Sequence, residues 1–167
     1  MSHLEHKATA PKTVRCFILT VSDTRTEDTD TGGRAIRELL TADGHHVAGK
    51  EIVRDDPQSV RAIVEAQAGS ADVDVIITTG GTGITSRDST YEAISVLLDK
   101  RLDGFGELFR VLSYEQVGAA AMLSRAVAGT YRGKIVVMLP GSENAVRLAM
   151  TKLLLPELGH LVREVSR

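Results

Sequence analysis

Apolar residues along this chain follow two alternating rhythms. Short β-branched or aliphatic runs without polar alternation mark strands covered on both faces, and apolar residues three or four apart mark helices. Strands are predicted over residues 13–21, over 45–53 (weakened by Gly49), over 75–79 and over 134–139. Between the first two, Gly32 and Gly33 open a helix with Ala35, Ile36, Leu39 and Leu40 inward, and Gly44 fits its C′ position. Asp56 as N-cap and Pro57 at N1 start a second helix, with Val60, Ile63, Val64 and Ala68 inward and Gly69 as its stop. Ser89 and Glu92 match a capping box for a third, carrying Ala93, Ile94, Val96, Leu97 and Leu98. Residues 108–112 and 116–123 read as short helices, and a last helix runs from Glu143 with a kink expected at Pro156.

Strands alternating with helices imply an α/β fold, a three-layer α/β/α sandwich around a mainly parallel sheet. Right-handed crossovers bring the strand C-termini to one edge, where ligands of open α/β sheets bind. That edge gathers Ser22 and Asp23, the loop Gly80-Gly81-Thr82-Gly83, and Pro140-Gly141-Ser142. The glycine loop is the focus. Its glycines permit positive φ and let a ligand approach backbone amides, as an anion cradle needs. It is no Walker A loop, lacking Gly-Lys-Ser/Thr. It also fails the dinucleotide fingerprint, since Ser86 stands where the third glycine belongs. A tight strand-to-helix turn would use the same glycines.

Composition narrows the classes. The 167 residues carry a formal charge of −2, with 43% apolar and 25% charged residues, so no basic excess favours nucleic acid and no run is apolar enough for a membrane span. The single Cys16 excludes an intramolecular disulfide and reads as a buried hydrophobe in a reducing, cytoplasmic setting. Residues 1–12 read as a frayed or lightly docked tail before a single domain over 13–167.

Asp88 suits two roles, complementing a helix start or placing Mg²⁺ beside phosphates. Asp56 is occupied as a cap, whereas Asp55 has no structural role visible in the sequence and is the freer carboxylate. His45 and His46 point oppositely in a strand and lack a third ligand, so they read as packed or solvated. None of Ser22, Ser86, Ser124 and Ser142 lies in a nucleophile elbow. Arg87, Arg110, Arg125 and Lys134 could each face an anion or simply solvent. A phosphorylatable receiver domain is disfavoured, because the last strand ends in Met138-Leu139-Pro140 without a lysine.

Several separated motifs in one order resemble the MoaB/MogA family of molybdenum cofactor biosynthesis proteins. They are Thr78-Thr79-Gly80-Gly81-Thr82-Gly83 with Arg87-Asp88, then Gly104-Phe105-Gly106-Glu107, Leu123-Ser124-Arg125-Ala126 with Gly129, and Leu139-Pro140-Gly141-Ser142. The compact length is closer to MoaB. The resemblance implies a domain that assembles as trimers or hexamers and binds molybdopterin. In active members it also implies Mg²⁺- and ATP-dependent adenylylation of the molybdopterin terminal phosphate. It matches Asp55 and Asp88 to catalytic, metal-placing acids. It matches Gly80, Gly81, Thr82, Gly83, Ser22, Asp23, Glu107, Ser124, Arg125, Pro140, Gly141 and Ser142 to the ligand-lining set. A catalytically silent molybdopterin-binding oligomer is the alternative.

Overall fold

The computed structural model describes residues 2–167. Their strands are β1 (Arg15–Val21), β2 (His46–Val53), β3 (Val75–Thr79), β4 (Lys100–Arg101), β5 (Val127–Tyr131) and β6 (Lys134–Leu139), in one sheet ordered β2-β1-β3-β6-β5-β4. β2, β1, β3 and β6 run parallel, while β5 is antiparallel to both β6 and β4. The antiparallel edge was not expected: Gly129 interrupts the β5 run, and two-residue β4 is too short to carry a pattern.

Helices cover both faces, and strand pleating decides which residue meets which layer. On one face Cys16, Ile18, Val75, Ile77, Ile135, Val137 and Leu139 pack under α2 (Thr31–Ala42) and the C-terminal helices α6 (Glu143–Ala149) and α7 (Leu155–Val165). On the other, Phe17, Leu19, Ile76, Val136 and Met138 meet α3 (Pro57–Ala68) and α4 (Thr90–Ser95). The three-layer sandwich read from the sequence is therefore the fold observed. Cys16 lies in the first core, where burial pushes its thiol up to about 12.

The chain leaves β1 for β2 on one side, then returns to place β3 on the other side of β1. That reversal opens a crevice beyond the C-terminal ends of β1 and β3. The connections following β1, β3 and β6 all meet there.

Local structure departs from expectation at four places. Residues 103–117 form one helix, α5 (Asp103–Val117), and 118–123 follow as a 3₁₀ turn rather than an α-helix. Helix α4 is a six-residue stub, and Val96 beyond it is 72% exposed instead of facing the core. Between α6 and α7 the helix widens into a π turn over residues 150–154, just before Pro156, which cannot donate a backbone hydrogen bond. Finally, α1 (His3–Ala8) gives the N-terminal segment helical structure; it buries no residue and meets α7 through the Lys7–Glu157 and His6–Glu164 pairs.

Candidate functional site

Gly80 leaves β3 with φ 93° and Gly81 follows with φ 72°. A Cβ on Gly80 would collide with the carbonyl oxygen of Val21, and one on Gly81 with Thr90 Oγ1, so the turn lies directly on β1 and on the start of α4. The Gly80 amide donates to Leu139 O (3.0 Å), and Thr79 Oγ1 donates to Pro140 O (2.8 Å). These bonds tie the glycine loop to the Pro140-Gly141-Ser142 turn. Ser142 itself caps α6, accepting from the Ala145 amide at 3.2 Å.

The two candidate acids flank this loop. Asp55 is only 8% exposed. Its Oδ1 accepts from the Ser89 amide (3.2 Å) and the Ser89 hydroxyl, while its Oδ2 lies 3.0 Å from where a Cβ on Gly81 would stand. Asp88 closes a small turn, its Oδ2 accepting from the Thr85 amide at 2.9 Å and the Thr85 hydroxyl at 2.6 Å, and it presses against Gly83. Asp55 thus does have a structural role, one that runs through a residue 34 positions away and leaves no local signal.

The expected capping box at α4 does not form. Ser89 occupies the N-cap without a side-chain capping bond, because its hydroxyl serves Asp55. Glu92 turns instead to Arg125. The same guanidinium reaches back to the carbonyls of Thr82 (Nε to O, 3.1 Å) and Gly83, and lies 4.7 Å from the Tyr91 ring centroid. Arg125 is a clamp on the glycine loop, and it holds the Glu92 carboxyl below the usual range.

Asp23 is tied up as well. Arg87 donates to its Oδ2 at 2.8 and 3.1 Å, the Asp55 amide donates to its Oδ1 at 3.1 Å, and the Arg87 hydrogen bond leads in lowering its pKa. Arg87 also donates to Asp55 O at 3.3 Å. Asp23, Asp55 and Arg87 therefore form one bracket behind the loop.

Two cavities meet over the Gly80–Gly141 contact. The larger, about 430 Å³, is bounded by Gly80, Gly81, Thr82, Gly83, Asp88, Ser124, Pro140, Gly141 and Ser142. Its far wall comes from α5 and α6, with Phe109, Ser113, Gln116, Asn144 and Leu148. The second, about 370 Å³, shares Gly80, Gly141 and Ser142 and extends over Ser22, Arg25, Asp30 and Thr79. Here Asp30 caps α2 through the Gly33 amide (2.9 Å) and pairs with buried Lys50 at 2.7 Å. Burial pushes the Asp30 carboxyl up, but hydrogen bonds from Lys50, Thr20 and Gly33 outweigh it and hold the pKa low.

Asp23 and Asp55 line neither cavity, and Glu107 and Arg125 also fall outside both. The latter two line a third hollow of about 380 Å³ with Tyr91, Arg101 and Arg110, which Ser124 separates from the first. Ser22 turns its hydroxyl to the Thr24 and Arg25 amides. Lys134, an anion-facing candidate in the sequence, donates to the carbonyls of Ser70 and Val73. The α5 wall residues and Asp30 were missed by sequence reasoning. Asp30 had a usable signal, a carboxylate just before the first turn of a helix; the α5 wall had none.

Comparison with known proteins supplies the remaining observations. Residues 17–160 match the family model described as "Probable molybdopterin binding domain". Molybdenum cofactor biosynthesis protein B of Bacillus cereus is 58% identical over 168 residues, spanning 100% of this chain and 99% of the relative. The Bacillus subtilis protein of the same name is 49% identical over the same shares. Among solved structures, a crystal structure of molybdenum cofactor biosynthesis protein B superposes with a TM-score of 0.90 at 57% identity, covering 94% of this chain and 98% of the other. The tungsten cofactor synthesizing protein MoaB from Pyrococcus furiosus gives 0.84 at 42% identity, covering 95% and 100%.

Proposed function

This chain belongs to the MoaB/MogA family of molybdenum cofactor biosynthesis proteins, and from that premise we propose that it binds molybdopterin and adenylylates its terminal phosphate with ATP. The observation that carries this reading is a cavity at the strand ends floored by the glycine loop and lined by Asp88, with the buried Asp55 carboxylate packed against Gly81 of the same loop.

The reaction joins two anions. A terminal phosphate oxygen of molybdopterin attacks the α-phosphorus of ATP. An oxygen–phosphorus bond forms as the bond to the bridging oxygen breaks, and pyrophosphate leaves with that electron pair. Alignment and charge neutralisation supply the catalysis. The amides of Gly81, Thr82 and Gly83 would cradle the phosphate in the larger cavity, while the Gly80 amide is already taken by Leu139 O. Arg125 draws the Thr82 and Gly83 carbonyls toward itself, which fixes the direction of the peptide groups between them. The donors suit Mg²⁺, since both acids offer hard carboxylate oxygens and each has one oxygen already oriented by a neighbouring hydroxyl. Asp55 and Asp88 would hold the ion, which when bound neutralises phosphate charge. Ser22, Asp30 and Arg25 line the space adjoining the phosphate end, room for the rest of the nucleotide.

Self-association as a trimer or hexamer is part of the proposal. Leu108, Val111, Tyr114 and Val117 stand exposed on α5, and Met122 and Leu123 continue that apolar face. Light scattering after size exclusion measures the assembly. Among the described residues no helix is long and apolar enough to cross a membrane. The proposed setting is the cytoplasm, in keeping with one buried thiol.

Incubating the protein with molybdopterin, Mg²⁺ and ATP and assaying adenylylated pterin tests the enzyme reading. Product formation supports it. Molybdopterin binding without product would instead establish the silent pterin-binding oligomer.

A further inference from the structure

A second cluster of ligating side chains lies where α1 meets α7, and it shares no residue with the glycine-loop cavities. We propose that His6, His160 and Glu164 form a binding site for one borderline divalent cation of the Zn²⁺ type, which fastens the N-terminal helix to the C-terminal one.

Helical spacing puts His160 and Glu164 on one face of α7, four residues apart, and α1 lays His6 across them. Each of the three offers one donor atom, and these atoms all lie within 4.8 Å of one another. His6 Nδ1 is 2.9 Å from Glu164 Oε1, and His160 Nε2 is 4.0 Å from the same oxygen. Donors about 2.0–2.1 Å from a tetrahedral Zn²⁺ stand roughly 3.3 Å apart, between those two separations. Small side-chain rotations therefore close the set around an ion, with water at the fourth position.

The hydrogen bonding of His160 is an independent sign. Its Nδ1 sits 2.9 Å from Glu157 Oε2, the carboxylate–imidazole arrangement that orients metal-binding histidines. With Nδ1 engaged by Glu157, Nε2 is the ring nitrogen left on the side of Glu164, 4.0 Å from its Oε1. Glu157 is anchored in turn by Lys7 from α1.

Imidazole nitrogens select against Mg²⁺ and Ca²⁺, which take oxygen ligands, so this site and the proposed Asp55–Asp88 site differ in the ions they accept. The competitor is Arg163, whose Nη1 lies 2.7 Å from Glu164 Oε1; a dication displaces it from that oxygen. Arg167 stays near Oε2 at 3.3 Å.

The test is calorimetric titration of the chelator-treated full chain with Zn²⁺ alone, repeated with Co²⁺ while visible absorption is recorded. One equivalent should bind in the micromolar range, with tetrahedral Co²⁺ bands. His6→Ala and His160→Ala should each weaken binding at least tenfold. Glu157→Gln should weaken it about 10- to 100-fold without touching the ion. Exposed His46, outside the cluster, serves as control, and His46→Ala should leave the titration unchanged. All four residues lie at the surface or half-buried, and circular dichroism checks that each variant folds. No binding below about 100 µM, or binding indifferent to His6→Ala and His160→Ala, overturns the site.

Discussion

Asp56 and Ser89 hold the same station in their helices, each the residue just before the first turn. At α3, Asp56 caps in the ordinary way, its Oδ2 accepting from the Ser59 amide at 2.9 Å and from the Ser59 hydroxyl, with Pro57 behind it. At α4 the residue types suit capping equally well, yet Ser89 bonds Asp55 and Glu92 bonds Arg125. One helix start satisfies itself within four residues. The other spends its capping groups on a carboxylate and a guanidinium from distant parts of the chain. Departures from local consistency of this kind concentrate at functional sites, where a side chain is held for chemistry rather than for its own helix. The contrast divides neighbouring acids: Asp56 caps its own helix, whereas Asp55 is bonded to the start of another.

The largest effect expected from breaking this division is on turnover. Asp55→Asn keeps an oxygen for Ser89 but removes the charge, and should lower adenylylation by about 10²–10³-fold. Asp88→Asn should do the same, with circular dichroism and oligomer size unchanged in both; wild-type rates in both variants would remove the metal assignment. Arg125→Ala should come next, costing about 1–3 kcal/mol in urea unfolding, since two loop carbonyls and Glu92 lose a charged donor together. Arg125→Lys should recover only part, because a single ammonium cannot span all three acceptors.

Ser89→Ala and Asp56→Ala sharpen the comparison further. Each should cost about 1 kcal/mol of stability. Only Ser89→Ala should also depress turnover, because Asp55 then loses the hydroxyl that fixes its Oδ1. Equal effects on turnover would erase the distinction between the two helix starts. The smallest effect is on the acid limb. Arg125 lowers the folded pKa of Glu92, so the clamp's contribution is present above the unfolded carboxyl value near pH ~4.3 and fades as pH falls through the lower folded one. Hydrogen exchange at residues 82–84 should therefore quicken below that range, and Glu92→Gln should remove the dependence.

Much of the architecture was legible because its signals are local. Strand β3 announces itself as five apolar or β-branched residues, all of them buried, and α3 by its cap, its proline and its closing glycine. The motifs around residues 78–83, 104–107, 123–126 and 139–142 placed the chain in its family before any geometry was known. The antiparallel β5–β4 edge was not legible. Glycine is needed at 129 because a Cβ there would collide with Lys100 O, and that packing relation is visible only in three dimensions.

Periodicity, caps and turn residues act over a few positions, so the sequence alone determined the alternation of the four parallel strands with their helices, the two buried faces of the sheet and the edge where the loops collect. Which partner each polar group takes was decided by tertiary structure. Ser89 meets Asp55 across 34 residues, and Arg125 meets the glycine loop across 42 or 43. Such contacts exist only once the sheet has brought the strand ends together. A hydroxyl or carboxylate follows whichever donor or acceptor the fold sets beside it, and at this site the nearest in space is far along the chain.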